Sequence, residues 1–348
     1  MNRLVGWLLG ATDPESVANE LRQHSVPVAD DPCRTCPDPC DEGHDEYPGR
    51  LFIENTTNFF GSIQPLRRQV IISTGKYDWP KKIEQESGTL GQLLSAANDR
   101  LLKTSKVVTS EAPRTGTFDS SKSARLSILN GSHKTVAHDD DRETVLVFPD
   151  FKAVVGARAD SADVETLWRH ALDPAVGVTG TADDDVQRPL RSYILPYACV
   201  ILLCSHKRRD NRCGITAPKL EEALRTELTH AGWEVHTELE HLDDVSACIE
   251  SIHGSDSERE RAVQGQLQAA GAQRRALILG VSHVGGHKWA GNVQIFNPQG
   301  AGVYYGRVTP HEVPAIVKST ILDGKLLPQI LRGAMNVERV PGKTLLDW

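Results

Sequence analysis

The run YILPYACVILLC at residues 193–204 is almost wholly apolar and closes on Cys204. Its length and content predict a buried strand over 193–203. Nine positions further on, at the end of CSHKRRDNRC (204–213), stands Cys213. A second apolar run, 276–281, leads into SHVGGH (282–287), which carries His283 and His287. Two thiols and two imidazoles thus follow the C-terminal ends of two expected buried strands. Soft sulfur and nitrogen donors in such places point to a metal site.

Outward from this centre, Pro218 suits the first position of a helix whose Leu220, Leu224 and Leu228 share one face. Residues 234–239 alternate like a strand. Residues 255–270 predict a polar helix with a Ser255–Glu258 capping box. Residues 292–297 and 303–308 read as a hairpin and 310–322 as a last helix. The order β-α-β-α-β-β-α over 192–333 is that of a thioredoxin-like fold. Residues 49–172 read as a smaller α+β domain, with strands at 69–73, 126–129 and 144–148 and helices at 88–102 and 162–172. That order is compatible with a reduced thioredoxin-like layout. Residues 103–122 read as a surface loop, 173–191 as a linker and 334–348 as a flexible C-terminal tail. Residues 1–48 combine a short helix over 13–24, capped by Asp13, with a Cys-rich acidic loop. The fold class expected is therefore α/β (α+β) in two domains.

In that acidic loop, Cys33, Cys36, Cys40 and His44 are spaced C-x2-C-x3-C-x3-H. Four such ligands can close a tetrahedron around zinc. The competing reading is a polar loop with spare thiols.

Composition narrows the function. The net charge of −7 argues against nucleic acid as the partner. No run reaches the 18 or so apolar residues of a membrane span. The N-terminus has a poor signal-peptide n-region and is too acidic for a mitochondrial presequence. The expected compartment is the cytoplasm, with the mitochondrion as the alternative. In a reducing compartment, seven cysteines in 348 residues favour ligands over cystines.

The central four ligands admit three readings. One is a [2Fe–2S] cluster, one iron on the Cys pair and the other on the His pair. Another is structural zinc, although C-x8-C is wider than the usual zinc pair. The third is a redox dithiol, although eight intervening residues are far from C-x-x-C. Cys199 and Cys248 read as structural and His206 as a loop histidine. Lys207, Arg208, Arg209 and Arg212 read as a solvated basic loop. Beside a cluster they would also offer a docking patch for an acidic electron-transfer partner.

The segments CSHKRRDNRCGITAP, SHVGGHKWAGN, YYGRVTP and STGKYDW resemble the sucrase/ferredoxin-like family. The resemblance covers most of the chain from Cys33 onward. It implies a thioredoxin-like ferredoxin domain with a [2Fe–2S] cluster on Cys204, Cys213, His283 and His287. The 69 residues between Cys213 and His283 depart from the pattern and look like an insertion around 255–270. No carboxylate pair suits glycosidase chemistry, so the sucrase label finds no support. The function expected is one-electron transfer with proton coupling through the His ligands, with an electron carrier favoured over an enzyme with its own substrate. Its redox partner would be an unidentified reductase. The last residues, Leu346, Asp347 and Trp348, resemble the C-terminal tripeptide read by the targeting complex of cytosolic iron–sulfur assembly, which would be a second partner.

Overall fold

The computed structural model describes residues 13–30, 47–104, 116–181 and 190–348. Cys33, Cys36, Cys40 and His44 lie outside the described residues.

Twelve strands form one mixed sheet. In the first half, β1 (Arg68–Ser73) leads through helix α1 (Leu90–Leu101) and the short β2 (Thr117–Phe118) to β3 (Leu126–Gly131). Strands β4 (Arg142–Phe148), β5 (Lys152–Arg158) and helix α2 (Ser161–Leu167) follow, and α2 runs on into a π-helical turn, Trp168–Leu172. In the second half, β6 (Arg191–Ile194) precedes β7 (Cys199–Cys204), helix α3 (Asn211–His230), β8 (Glu234–His236), helix α4 (Asp256–Gly271) and β9 (Arg275–Val281). The hairpin β10 (Val293–Phe296) and β11 (Gly302–Tyr305), a helix with α (Val313–Ala315) and π (Ile316–Leu322) portions, and β12 (Leu331–Met335) complete the chain. The strand order is β2-β12-β11-β10-β7-β9-β3-β1-β4-β5-β6, with β8 on the flank of β9.

Each half repeats one wiring. β1 is parallel to β3, β4 lies antiparallel on β1, and β5 lies antiparallel on β4. Likewise β7 is parallel to β9, β10 is antiparallel to β7, and β11 is antiparallel to β10. The halves join where Gly131 of β3 pairs with Val281 of β9. Four hydrogen bonds ring that junction in reciprocal pairs. The Ser132 and Ser282 amides donate to the Gly280 and Asn130 carbonyls, each at 2.8 Å. The Asn130 and Gly280 amides donate to the Ser282 and Ser132 hydroxyls, each at 3.0 Å. The junction is therefore two-fold in its bonding although its sequence is not.

Alternating side chains divide the interior. One face of the second half packs Ile201, Leu203, Ile278 and Val293 against Leu220, Leu224 and Ile316. One face of the first half packs Val70, Ile72, Val145 and Val147 against Leu94 and Trp168. The other faces of both halves share a single core, in which Phe148 and Phe296 stack with centroids 4.4 Å apart. Such a ring pair contributes about 0.5–1.5 kcal/mol beyond its buried area.

Several expectations are corrected. The run at 193–203 is two strands, because Pro196 cannot sit in a central ladder; the first strand, β6, pairs with β5 of the first half. Helix α3 begins at Asn211, not at Pro218, since the Asp210 side chain accepts from the Arg212 amide and caps it. Strands β5 and β12 were not expected. The expected linker is fastened over its described part: Arg68 donates to the Asp173 and Val176 carbonyls and Lys152 to that of Val178. Ala334 and Met335 finish β12 rather than opening a tail, and Leu345 is buried. The Leu345 and Leu346 carbonyls accept from Asn297 and Gln299, while Trp348 is 51% exposed.

Candidate metal centre

Strands β7 and β9 are parallel neighbours in register, Cys204 opposite Val281. Their C-terminal ends therefore emerge side by side. Cys204 is the last residue of β7, and after six intervening residues the chain enters α3. Cys213 lies in the first turn of α3, which the sequence reading had left in a loop. The helix start turns it back toward Cys204, and both thiols are buried. Each is free of any disulfide. His283 follows β9 by two residues, and His287 stands beyond the Gly285-Gly286 turn. Gly286 has φ +69°, and a Cβ there would lie 2.5 Å from the Arg332 guanidinium, so glycine is required. The His283 and His287 ring centroids are 5.3 Å apart.

The four side chains thus converge. The Cys213 thiol donates toward the Cys204 sulfur, which His283 and the Val284 amide also face. These groups pull the Cys204 thiol well below its usual range, and the same interaction pushes Cys213 up. One thiolate is favoured before any metal arrives. The Nδ1 atoms of His283 and His287 are buried and have no hydrogen-bond partner among the described residues. Buried nitrogen lone pairs or N–H groups left unpaired are costly, and ligation would satisfy them. Two thiols and two imidazole nitrogens suit either a [2Fe–2S] cluster or tetrahedral zinc.

His287 is partly exposed. Its Nε2 lies 3.9 Å from the Asp210 carboxylate. Burial lowers the His287 pKa and Asp210 opposes that shift. Asp210 itself is held low by hydrogen bonds from Arg212. A carboxylate on the far nitrogen of a ligating histidine is the usual way of orienting it.

Residues outside the four donors fix them, and most carried no signal of their own in the sequence. His206 is buried; its Nδ1 accepts from the His283 amide at 3.2 Å, so its Nε2 donates to the Trp79 carbonyl at 2.7 Å. The loop histidine of the sequence reading is a brace between the Cys and His segments. The stretch containing Tyr77, Asp78 and Trp79 lies along the Cys loop: Ser205 donates to the Tyr77 carbonyl and the Arg208 amide to Asp78. On the His side, Glu54 accepts from the Trp289 indole at 2.9 Å and from Arg307 at 3.3 Å. Burial works against its ionisation, but four hydrogen bonds from Thr56 and Thr57 hold its carboxyl well below the usual range. The Val308 amide donates to the Gly291 carbonyl, which binds the YYGRVTP segment to the His loop.

Arg332 lies beneath the centre with 3% of its surface exposed. It donates to Gly285 O, Asn292 Oδ1 and Ser62 Oγ, all neutral acceptors. Among the described residues no carboxylate pairs with it. Burial lowers its pKa to about 10, and the negative charge of the Cys204 and Cys213 pair acts against that shift. Its nearest counter-charge is therefore the Cys pair. Elsewhere, Glu234, His236 and Glu240 also cluster, but Arg275 already bridges the two carboxylates.

The sucrase/ferredoxin-like family matches residues 59–333, and the chain belongs to it. Among curated proteins, Actin patches distal protein 1 of Saccharomyces cerevisiae is 26% identical over 298 residues, covering 82% of this chain and 78% of that protein. Altered inheritance of mitochondria protein 32 of Clavispora lusitaniae is 28% identical over 163 residues, 47% of this chain and 45% of its own. Its namesake in Meyerozyma guilliermondii is 30% identical over 137 residues, 39% of this chain and 35% of its own. The chain thus spans less than half the length of these two mitochondrial-inheritance relatives. No solved structure matches it.

Proposed function

We propose that this member of the sucrase/ferredoxin-like family is a redox protein that carries one electron at a [2Fe–2S] cluster held by Cys204, Cys213, His283 and His287. The supporting observation is the donor set: two buried thiols, at the end of β7 and the start of α3, and two buried Nδ1 atoms after β9 that lack hydrogen-bond partners among the described residues, near an arginine that pairs with no carboxylate among those residues. When bound, such a cluster supplies a one-electron centre whose potential follows ligand type, net charge and hydrogen bonding. His283 and His287 would hold one iron through Nδ1, leaving the His287 Nε2 toward Asp210 and solvent, where a proton can be exchanged. Arg332 would offset the negative charge that reduction adds. The exposed side chains of Lys207, Arg208 and Arg209 offer an acidic redox partner a docking patch beside the centre.

The thioredoxin-like reading draws support from the wiring of each half, with β8 and α4 inserted between α3 and β9. The exposed Trp348 keeps alive a role for Leu346-Asp347-Trp348 in recognition by cytosolic iron–sulfur assembly, and with it a cytoplasmic location. The mitochondrial-inheritance relatives' names keep the mitochondrion as the alternative. Among the described residues no helix is long and apolar enough to cross a membrane. A zinc-stabilised binding module is the second reading, favoured by the same Cys2His2 donors. A dithiol reductase is the third, favoured by the Cys213 position at a helix start.

The test is iron and acid-labile sulfide analysis with electron paramagnetic resonance of the anaerobically purified, dithionite-reduced protein. Stoichiometric iron and sulfide with visible absorption are expected. A colourless protein with stoichiometric zinc would replace this reading with the second; a metal-free protein would leave the third.

A further inference from the structure

Beside His283, on the side away from the thiols, lies a cavity of about 510 Å³. Its walls come from β1, β3, β10, β11, β12 and the Gly285-Gly286 turn. That volume suits a small organic molecule. Its polar lining is one-sided. In a chain with 46 acidic residues and 39 Lys and Arg, the lining holds Arg332 and Arg125 and no carboxylate. Three donor groups matter. Arg332 uses Nε and Nη1 on protein acceptors, while its Nη2 has no partner among the described residues. The Tyr304 hydroxyl is buried and likewise without a partner. Arg125 stands at the exposed rim. Beside Tyr304, its cross-strand partner Gln294 is met by Gln69, and the two glutamines satisfy each other in part through a 2.6 Å bond. Ser62, Gln64, Ser127 and His283 add polar wall, and Leu66, Leu129 and Val284 form an apolar patch.

A guanidinium nitrogen and a buried phenol line this cavity, neither with a hydrogen-bond partner among the described residues, and together they suit an acceptor that carries negative charge. We propose that this cavity binds a small organic anion, its carboxylate met by Arg332 and the Tyr304 hydroxyl and its apolar body by Leu66, Leu129 and Val284. The bound anion lies against His283. The inference does not rest on what Cys204 and Cys213 hold, because neither lines the cavity.

The full-length protein is titrated calorimetrically with three probes: benzoate, benzyl alcohol as its uncharged counterpart, and inorganic phosphate as an anion without an apolar body. Benzoate is expected to bind saturably at one site, at least roughly tenfold more tightly than benzyl alcohol. Phosphate is expected to compete with it. Tyr304→Phe removes one oxygen and should weaken benzoate at least about tenfold, since hydrogen bonds to charged groups are the strong ones. Arg125→Gln, at the rim, should cost roughly threefold and less in high salt. Should Tyr304→Phe fail to fold, Arg125→Gln and the benzyl alcohol comparison decide the matter. No saturable benzoate binding, equal binding of benzyl alcohol, phosphate binding that does not compete, or variants that bind like the parent would each overturn the proposal.

Discussion

Ser73 and Cys204 occupy the same place in two copies of one wiring. Each ends the first strand of the repeated wiring, next to a parallel neighbour whose end is followed by Ser-His: Ser132-His133 in the first half, Ser282-His283 in the second. From there the halves diverge. After β7 the chain turns into α3 within six residues, so Cys213 comes back to Cys204. After β1 the connection to α1 is longer, and it reaches across so that Trp79 meets His206 and Tyr77 meets Ser205. His133 is fully buried with both ring nitrogens unpaired among the described residues, and it has no thiol beside it like the one His283 finds in Cys204. The strand-end position is thus a property of the wiring. Ligand chemistry depends on a cysteine at that position and a short return to the next helix. One half supplies the four proposed ligands and His206, and the other supplies the stretch 77–79 against which they are braced.

The largest contrast between the halves is expected at the proposed ligands. Cys213→Ser or His283→Ala should abolish bound metal and any visible absorption, whereas His133→Gln should leave metal content unchanged. Loss of metal in His133→Gln at full folded yield would break the comparison.

Next comes acid stability. Burial pushes the His133 pKa down to about 4, below its unfolded value near 6.5. The folded form therefore binds fewer protons than the unfolded chain between those values. Stability should be full above about pH 6.5 and fall as pH drops toward 4, by about 3 kcal/mol from this residue. Chemical denaturation of the parent and of His133→Gln across that range reads the difference; equal slopes would remove His133 as the cause.

A smaller effect is expected at the brace. His206→Ala empties a buried site and leaves the His283 amide and the Trp79 carbonyl unpaired. A loss of about 2–3 kcal/mol in urea unfolding follows. If instead the variant is as stable as the parent, the first half does not brace the second through this residue.

The smallest is electrostatic. If the centre is a one-electron couple, Arg332→Gln should lower its potential by roughly 40–90 mV, equivalent to about 1–2 kcal/mol. Arg332→Lys should retain most of the parent value. A redox titration in which the glutamine variant matches the parent would mean that the thiolates are not the counter-charge of Arg332.

Much of the second half was legible in the chain. Buried parallel strands are continuous apolar runs, so the ends at Cys204 and Val281 could be read, and with them the places of Cys204, His283 and His287. The first turn of α3 was misplaced because Pro218 looked like a helix start while the Asp210 cap lay in a charged loop. Strand β5 was missed since Lys152–Arg158 mixes Lys, Gly and Arg with its valines, and Lys152 is buried only because it reaches Asp150 and the Val178 carbonyl. Glu54, His206 and Arg332 showed no motif at all. Their tertiary contacts lie 40 to 270 residues apart in sequence, which no local pattern encodes.

By itself the sequence determined the mixed α/β class, the two apolar strands and the donor types at their ends, because hydrophobic periodicity and residue chemistry are local properties. Only the tertiary structure decided that the halves share one sheet, that Cys213 returns to Cys204, and that an arginine without an acidic partner among the described residues lies near them. Strand pairing, side-chain convergence and the burial of a charge are set by what the rest of the chain brings alongside.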